Sequence, residues 1–497
     1  MVEKAEGLAR DNPFLEFRLD YLKKPTLALP HLRRFLSYHP EVVAVGTCRR
    51  AVNGGKFRGS LASQADVLGK AAASGCQLID LELQSAAAMK PAALDGLRSR
   101  AALVLSFHDY RATKKLAETF TKMVAYPADY YKLVSTATSL YDNVLMMKFL
   151  EQKSLTHSVV GVCMGEQGVI SRILGLRAGS VFTFAAAGEG EETAPGQITA
   201  RTLRDVYRVE QVDAATRVYG VAGDPIAHSL SPQMMNAAFR RENVNAVFLA
   251  LHAETLNDLL RCVREIPIHG LSVTMPYKEE MLEHLDNSDT VTQKTKACNT
   301  VVRAQDGRLY GFNTDVAGVV APLERRLVLS GAKVLVLGAG GAARAAVFGL
   351  KGRGAEVSIL NRTPAPAQKL ARQARARVIR RGELKKLAFD VIINATPVGM
   401  KDPRASPLNE KEIRARFVLD MVYQTAETRF ARLARARGAE VIPGHEMFVQ
   451  QGARQFEIWT GKPAPLGEMQ NEVMAAMEAR ARAAKESGRR KNSRHKR

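Results

Sequence analysis

The sequence predicts an α/β protein built in two parts, and three observations carry that prediction. Over roughly the first 200 residues, short β-branched runs alternate with longer Ala/Leu-rich helical stretches, the rhythm of a parallel sheet or barrel. A helical pattern at 198–217 then gives way to a new strand, VYGVAGDP, at Val218. From 332 the string AKVLVLGAGGAARAAVFGL joins an apolar strand to a glycine turn and a helix, opening a second parallel unit. A chain of 497 residues is long enough for about two to four domains. The expected divisions are 1–216, a mixed domain at 217–323 completed by helices at 446–479, a parallel unit at 324–445, and a basic, disordered tail at 480–497.

In the first part the runs are FLEFRLD (14–20), VVAVGTCR (42–49), LIDLEL (78–83), LVLSFHD (103–109), YYKLVST (130–136), HSVVGVCM (157–164) and VFTFAA (181–186). Several end in polar residues, Arg49 and His108 among them, and the C-terminal ends of strands form the working rim of a (β/α)8 barrel. The expected fold is therefore a (β/α)8-type barrel in which seven strands are visible and the helical piece GLARD stands where a first strand is expected. From 218 to about 323, short strands (VFLAL, GLSVTMP, CNTVVRA, RLYGFNTD) mix with helices. After His445 the pattern is helical to the tail.

Composition narrows the function classes. Lys and Arg exceed Asp and Glu by 22, but the stretch RARAAKESGRRKNSRHKR at 480–497 supplies +8 of that. No zinc finger, aromatic-basic sheet signature or helix-turn-helix pattern accompanies the charge, so nucleic acid is not the expected partner, and the remaining +14 suits anionic metabolites. Five scattered cysteines lack metal-ligand spacing, so no metal is expected. No apolar stretch reaches the length of a membrane span and the start MVEKAEGLARDNPF has no apolar signal core, so the expected location is the cytoplasm.

In the second part Gly338, Ala339, Gly340, Gly341, Ala342 and Ala343 form a G-x-G-x-x-A turn between strand and helix, where a dinucleotide pyrophosphate approaches backbone N–H groups. The next strand ends in Asn361, Arg362 and Thr363, where an NAD site would carry an acid. Arginine and hydroxyl suit a 2′-phosphate, which favours NADP. Ser229 and Ser231 alternate in a turn that fits a carboxylate or polyol, or else simply cap a helix before Pro232. Lys278 and Asp315 can supply and relay a proton to the alkoxide that forms when a ketone is reduced. The strings GDPIAHSLSPQMMNAAF, SVTMPYK, ACNT, GFNTD, NATPVGM and DMVY together resemble shikimate dehydrogenase over 218–475. The resemblance implies that Ser229 and Ser231 hold the substrate carboxylate, Lys278 and Asp315 form the catalytic dyad, and Thr274, Asn299 and Gln451 meet substrate hydroxyls. It also places Tyr423 near the substrate and Thr396 and Met400 on the nicotinamide side. Ser272 stands where that family has Asn, which leaves quinate open beside shikimate, and Val316 stands where Gly is commoner.

In the first part Lys132 sits among apolar neighbours in YYKLVST, where loss of hydration makes an amine a nucleophile toward a ketone. His108 in SFHD is placed to move a proton beside the resulting imine. Arg18, Arg49 and Arg172 converging on a barrel mouth suit a carboxylated substrate. The strings EFRLD, TCR with GGKF, SFHDY, DYYKL, GVISR and TAPGQI resemble type I 3-dehydroquinate dehydratase over 10–205. That resemblance implies an imine on Lys132, acid/base work by His108, carboxylate binding by Arg172, and a pocket completed by Glu16, Arg18, Arg49, Thr193 and Gln197. Asn53 stands where the family has a Glu that orients the histidine. Together the two resemblances imply a bifunctional enzyme that dehydrates 3-dehydroquinate to 3-dehydroshikimate and reduces this to shikimate with NADPH. The alternative is a dehydrogenase fused to an inactive barrel.

Overall fold

The computed structural model describes residues 1–226, 229–266, 268–423 and 427–494, with side chains described as far as residue 482. Two compact units divide at Ala215 and Thr216.

The first unit is a sheet of six parallel strands, β1 (Phe14–Arg18), β2 (Val43–Thr47), β3 (Leu78–Glu82), β4 (Ala102–His108), β5 (Tyr130–Thr136) and β6 (Val159–Met164), paired in chain order. Parallel neighbours in sequence order need a crossover between each pair, and the helices Pro25–Tyr38, Leu61–Ala73, Pro91–Arg98, Leu116–Met123 and Asp142–Lys153 supply them. The run 181–186, expected as a seventh strand, is not paired as one. Val181 N–H donates to the Val159 carbonyl at 2.9 Å, and Ala186 makes a lone bridge to Thr199. Its aromatic residues pack instead: Phe182 lies edge-on to Phe14 of β1 at 4.9 Å and against Tyr130 of β5 at 5.9 Å. The run thus reaches from one side of the sheet toward the other. The long helix expected at 198–217 is also absent. Thr199 caps a single turn, Ala200–Thr202, which widens at Leu203–Tyr207 and is stopped by Arg208, whose φ of 48° lies in the left-handed region.

The second unit holds two six-stranded sheets. In the first, β7 (Arg217–Gly223), β8 (Ala246–His252), β9 (Ile268–Val273), β10 (Asn287–Ser288), β11 (Thr300–Arg303) and β12 (Leu309–Phe312) lie in the order β10-β12-β11-β9-β7-β8, with β11 antiparallel to both neighbours. In the second, β13 (Lys333–Leu337), β14 (Glu356–Leu360), β15 (Arg377–Val378), β16 (Phe389–Asn394), β17 (Ala415–Asp420) and β18 (Glu440–Pro443) are all parallel in the order β15-β14-β13-β16-β17-β18. The chain order reverses between β13 and β16, the point at which open α/β sheets bind ligands. Helices Gly444–Thr460 and Leu466–Arg494 return to the first sheet, where Phe448, Phe456, Trp459, Met469 and Val473 share a core with Tyr219, Met234, Phe239 and Phe248. The last helix runs through 480–494, a stretch whose charge had predicted a disordered tail. Ala, Arg, Lys and Glu, all good helix formers, dominate it up to Arg490. No helix of the described residues is long and apolar enough to cross a membrane, no metal-ligand cluster occurs among them, and all five cysteines are buried thiols.

Candidate active sites

In the first unit the parallel register carries the chemistry. Ser106 on β4 pairs with Lys132 on β5, and Asp80 on β3 pairs with Val104, so alternate side chains of three adjacent strands point to the same side. One cavity is lined by all eight residues that the sequence nominated for this unit: Glu16, Arg18, Arg49, His108, Lys132, Arg172, Thr193 and Gln197. Lys132 is buried, as its apolar run predicts, but a carboxylate accompanies it. Its Nζ donates to Asp80 Oδ2 at 2.9 Å, lies 4.0 Å from Glu16 Oε1, and sits 3.7 Å above the Phe184 ring. Asp80 also accepts from Ser106 Oγ at 2.7 Å and contacts Arg49 at 3.4 Å. Burial opposes its charge, but Lys132, Arg49 and His108 outweigh burial and hold its carboxyl far below the ordinary range. Glu82, two residues along, accepts from Gln64 at 2.7 Å, and burial together with Asp80 pushes its carboxyl up.

His108 takes its state from the same group. Burial, then the charges of Arg49 and Lys132, hold its imidazole well below the usual histidine value, with Asp80 opposing. The ring stacks near Tyr110 at 5.9 Å, and among the described residues no hydrogen bond anchors it. Asn53 directs its amide to Ser85 Oγ at 3.5 Å, and its carbonyl accepts from the Tyr110 hydroxyl at 3.2 Å. Arg18 is clamped by Asp20 through two bonds of 2.9 and 2.8 Å. Arg172 is the freer cation: it is 2% exposed, one Nη donates to the Phe184 carbonyl at 3.1 Å, its buried Nε has no partner, and burial lowers it to about 10. Gln197 Oε1 accepts from the Thr193 backbone at 2.7 Å, which folds the 193–197 segment over the cavity.

In the second unit Lys278, in the turn after β9, donates to Asp315 Oδ2 at 2.5 Å. Asp315 opens the helix Asp315–Glu324, and its other oxygen accepts from Asn299 Nδ2 at 2.8 Å. Asn299 is itself held by Thr300 and Thr314, so the dyad and the asparagine form one network. Ser229 and Ser231 do not alternate along an extended segment: Ser231 is the first residue of the helix Ser231–Arg241, and its N–H donates to Ser229 Oγ at 3.2 Å. A hydroxyl that accepts there still has its own proton to donate. Tyr423 stacks on Phe448 at 4.9 Å. Burial raises its phenol, Arg480 lowers it and Asp315 raises it. Thr274 is half-buried with its methyl against Gly223. Gln451 is buried and donates to the Phe448 carbonyl at 2.8 Å, which leaves its oxygen to accept. Ser272 is buried too, with its hydroxyl accepting from Gln455 Nε2 at 3.0 Å. Gln455 also reaches the Asn299 carbonyl and Thr300, a structural role that its place in a helical pattern does not announce.

The dinucleotide loop fits its ligand class. Gly338 has φ of 113°, and a Cβ there would come within 3.0 Å of the Ala395 carbonyl, so only glycine is easily accommodated. At Gly340 and Gly341 a Cβ would meet nothing within 4 Å, which leaves open space over the N-terminus of the helix Gly341–Lys351. Ala339 and Ala342 are half-buried beside them. Asn361 donates to the Thr363 carbonyl at 2.8 Å and leaves the Arg362 side chain exposed at the end of β14. Thr396 donates to Asn394 Oδ1 at 2.6 Å, and Met400 is exposed beyond it.

Comparison with known proteins agrees on both units. The family profile for type I 3-dehydroquinase matches residues 1–214. Profiles for the shikimate dehydrogenase substrate binding domain, shikimate/quinate 5-dehydrogenase and the shikimate 5′-dehydrogenase C-terminal domain match 221–301, 323–415 and 444–474. The chloroplastic bifunctional 3-dehydroquinate dehydratase/shikimate dehydrogenase of Arabidopsis thaliana is 32% identical over 486 residues, covering 93% of this chain and 79% of that protein. The chain belongs to the bifunctional 3-dehydroquinate dehydratase/shikimate dehydrogenase family. Its dehydrogenase unit is 41% identical over 255 residues to the shikimate dehydrogenase (NADP(+)) of Thermococcus kodakarensis, 50% of this chain and 93% of that one. The crystal structure of the Thermus thermophilus shikimate 5-dehydrogenase with NADP(H) and shikimate aligns with a TM-score of 0.50 and 37% identity, over 52% of this chain and 100% of that one. Within this family context, Asp80 and Glu82 are the acids that sequence reasoning missed. Their signal was two acids at i and i+2 in the run LIDLEL, all five residues of whose strand are buried.

Proposed function

We propose that the first unit dehydrates 3-dehydroquinate through an imine on Lys132 and that the second reduces the resulting 3-dehydroshikimate to shikimate with NADPH. The observation that carries the first half is the shared cavity of a buried amine, a neutral-leaning imidazole and the buried Arg172. Arg172 binds the substrate carboxylate in forked geometry, which gives its buried Nε an acceptor and sets the ketone toward Lys132. Lys132 attacks the ketone carbon and water leaves. His108, held unprotonated, removes a proton next to the imine and returns it to the departing hydroxyl, and hydrolysis frees the lysine. Asp80 holds Lys132 and Arg49 in place through these steps and stays ionised.

In the second unit Ser229, Ser231 and Tyr423 bind the carboxylate end of the substrate, and Thr274, Asn299 and Gln451 meet its hydroxyls. The carbonyl oxygen then sits beside Lys278, which donates the proton as the alkoxide forms and recovers it through Asp315. The loop 338–342 fits a pyrophosphate, and Arg362 with Thr363 fits a 2′-phosphate. Thr396 and Met400 would hold the nicotinamide side of the coenzyme. NADPH, when bound, supplies a hydride to the ketone carbon.

A silent barrel is the second reading, favoured by the unanchored His108 ring and by Asn53 facing Ser85. One experiment separates them: purified chain is given 3-dehydroquinate, the enone absorbance is followed, and NADPH is then added. Enone formation followed by NADPH oxidation supports two active sites. No enone, with NADPH oxidised only when 3-dehydroshikimate is supplied, refutes the first half.

A further inference from the structure

We infer that Arg480 is a specificity-determining residue of the dehydrogenase site, a guanidinium from the last helix that binds the substrate carboxylate beside Ser229 and Ser231. The inference rests on the reading of that serine pair as the carboxylate end of the pocket. By sequence Arg480 is merely the first residue of a basic tail, and it lies beyond the 444–474 segment matched by the C-terminal domain profile.

The structure places it elsewhere. Helix Leu466–Arg494 packs along Ser231–Arg241 and against Gly444–Thr460, burying Met469 and Val473 in the core around Tyr219 and Phe239. That packing fixes the angle at which Arg480, two turns past Val473, returns to the loop before Ser231–Arg241. Its Nη2 donates to the Ser229 carbonyl at 3.3 Å, so the guanidinium lies alongside the residue whose hydroxyl accepts from Ser231 N–H. Arg480 is half-buried, a position in which a cation gains from a bound anion more than it would in open water. The Tyr423 phenol interacts electrostatically with both Arg480 and Asp315 of the dyad. A ring with its ketone at Lys278 and its carboxylate at Ser229 and Ser231 then has the Arg480 guanidinium beside that carboxylate. A cyclic hydroxy acid carries its carboxylate at that end, and a planar guanidinium fork binds a carboxylate more selectively than two hydroxyls do. The serines recognise shape, while Arg480 adds charge recognition that an uncharged analogue does not satisfy.

The test uses the full chain and steady-state oxidation by NADP of shikimate and of shikimate methyl ester, in wild type, Arg480→Met, Arg480→Lys and Ser231→Ala. The fluorescence of Trp459, which lies in the core of the second unit, reports that each variant is folded there. The expected result is that Arg480→Met raises KM for shikimate by about tenfold or more, changes KM for the ester by less than about threefold, and largely keeps kcat. Arg480→Lys recovers part of the loss, and the dependence of the shikimate KM on ionic strength weakens in Arg480→Met. Equal losses for acid and ester, or no loss, overturn the inference. If Ser231→Ala separates acid from ester and Arg480→Met does not, the role of Arg480 fails while the serine reading stands. If neither variant separates them, both fail.

Discussion

Replacing Asp80 by Asn removes one negative charge from a buried group that holds two cations, and the surrounding distances fix the consequence. Asp80 is 0% exposed, bonds Lys132 at 2.9 Å, contacts Arg49 at 3.4 Å and accepts from Ser106 at 2.7 Å. Asn keeps the shape and the bond to Ser106 but takes from Lys132 its closest carboxylate, leaving Glu16 at 4.0 Å, and leaves Arg49 with Glu82 at 3.5 Å alone. Breaking a buried pair from one side costs about 3–5 kcal/mol, because the desolvated partner charge remains. For a unit of this size, at about 2–4 °C per kcal/mol, the melting transition should fall by about 6–20 °C. The chain has one tryptophan, Trp459, which lies in the core of the second unit, so its fluorescence follows that unit while circular dichroism follows both. Asp80→Asn should shift the dichroism transition and leave the tryptophan transition in place. The pH dependence provides a second check. A carboxyl held far below its unfolded value contributes its full stability above about pH 4, and that contribution wanes as pH falls toward the folded value. The gap between wild type and variant should therefore narrow in acid. A first-unit transition that coincides with wild type at neutral pH would refute this account of the cluster.

The two sites give four further expected outcomes. Arg172→Gln should raise KM for 3-dehydroquinate by about 10–100-fold, the range of a lost charge-assisted bond, as read from initial rates of enone formation. Because burial and neighbouring cations hold His108 well below 6.5, the dehydratase kcat/KM should keep its neutral-pH value down to pH 6.5, with the acid limb below that. An acid limb at or above 6.5 would contradict it. Lys278→Met should lower the dehydrogenase kcat by about 10²–10⁴-fold while enone formation continues at the wild-type rate. Arg362→Asp should reverse the coenzyme preference from NADP to NAD, measured as the ratio of kcat/KM values for the two coenzymes.

Much of both sites was legible because strand periodicity and turn chemistry are local. The run KVLVLG followed by AGGAA places a glycine turn at a strand end whatever surrounds it, and β13 with the helix Gly341–Lys351 lies where that string puts it. Lys132 and His108 end up in one cavity because alternate positions of neighbouring parallel strands point to the same side, and His108 pairs with Val134, two residues beyond Lys132. What stayed hidden depends on contacts remote in sequence. Asp80 reaches Lys132 across 52 positions, and its acidic character in LIDLEL gives no hint of which cation it meets. The run VFTFAA has the composition of a strand, yet its Phe182 ring packs on Phe14 and Tyr130, its Phe184 ring lies under Lys132, and its ladder pairing is a lone bridge from Ala186 to Thr199. Gln455 and Arg480 come from the C-terminal helices, whose periodicity says which face is buried but not that these side chains meet Ser272 and Ser229, more than 180 residues earlier.

The return of the helices Gly444–Thr460 and Leu466–Arg494 to the sheet of β7–β12 makes the parallel β13–β18 layer an insertion within the lobe that it follows. On a ribosome this orders the two activities in time. All the residues of the dehydratase cavity have been synthesised by Gln197, so that unit can acquire its core while the rest of the chain is still being made. The dehydrogenase lobe has to wait, because Phe456, Trp459, Met469 and Val473, which complete its core, emerge only after the whole β13–β18 layer has been made. A nascent chain arrested before them would carry a finished first enzyme tethered to an unfinished second.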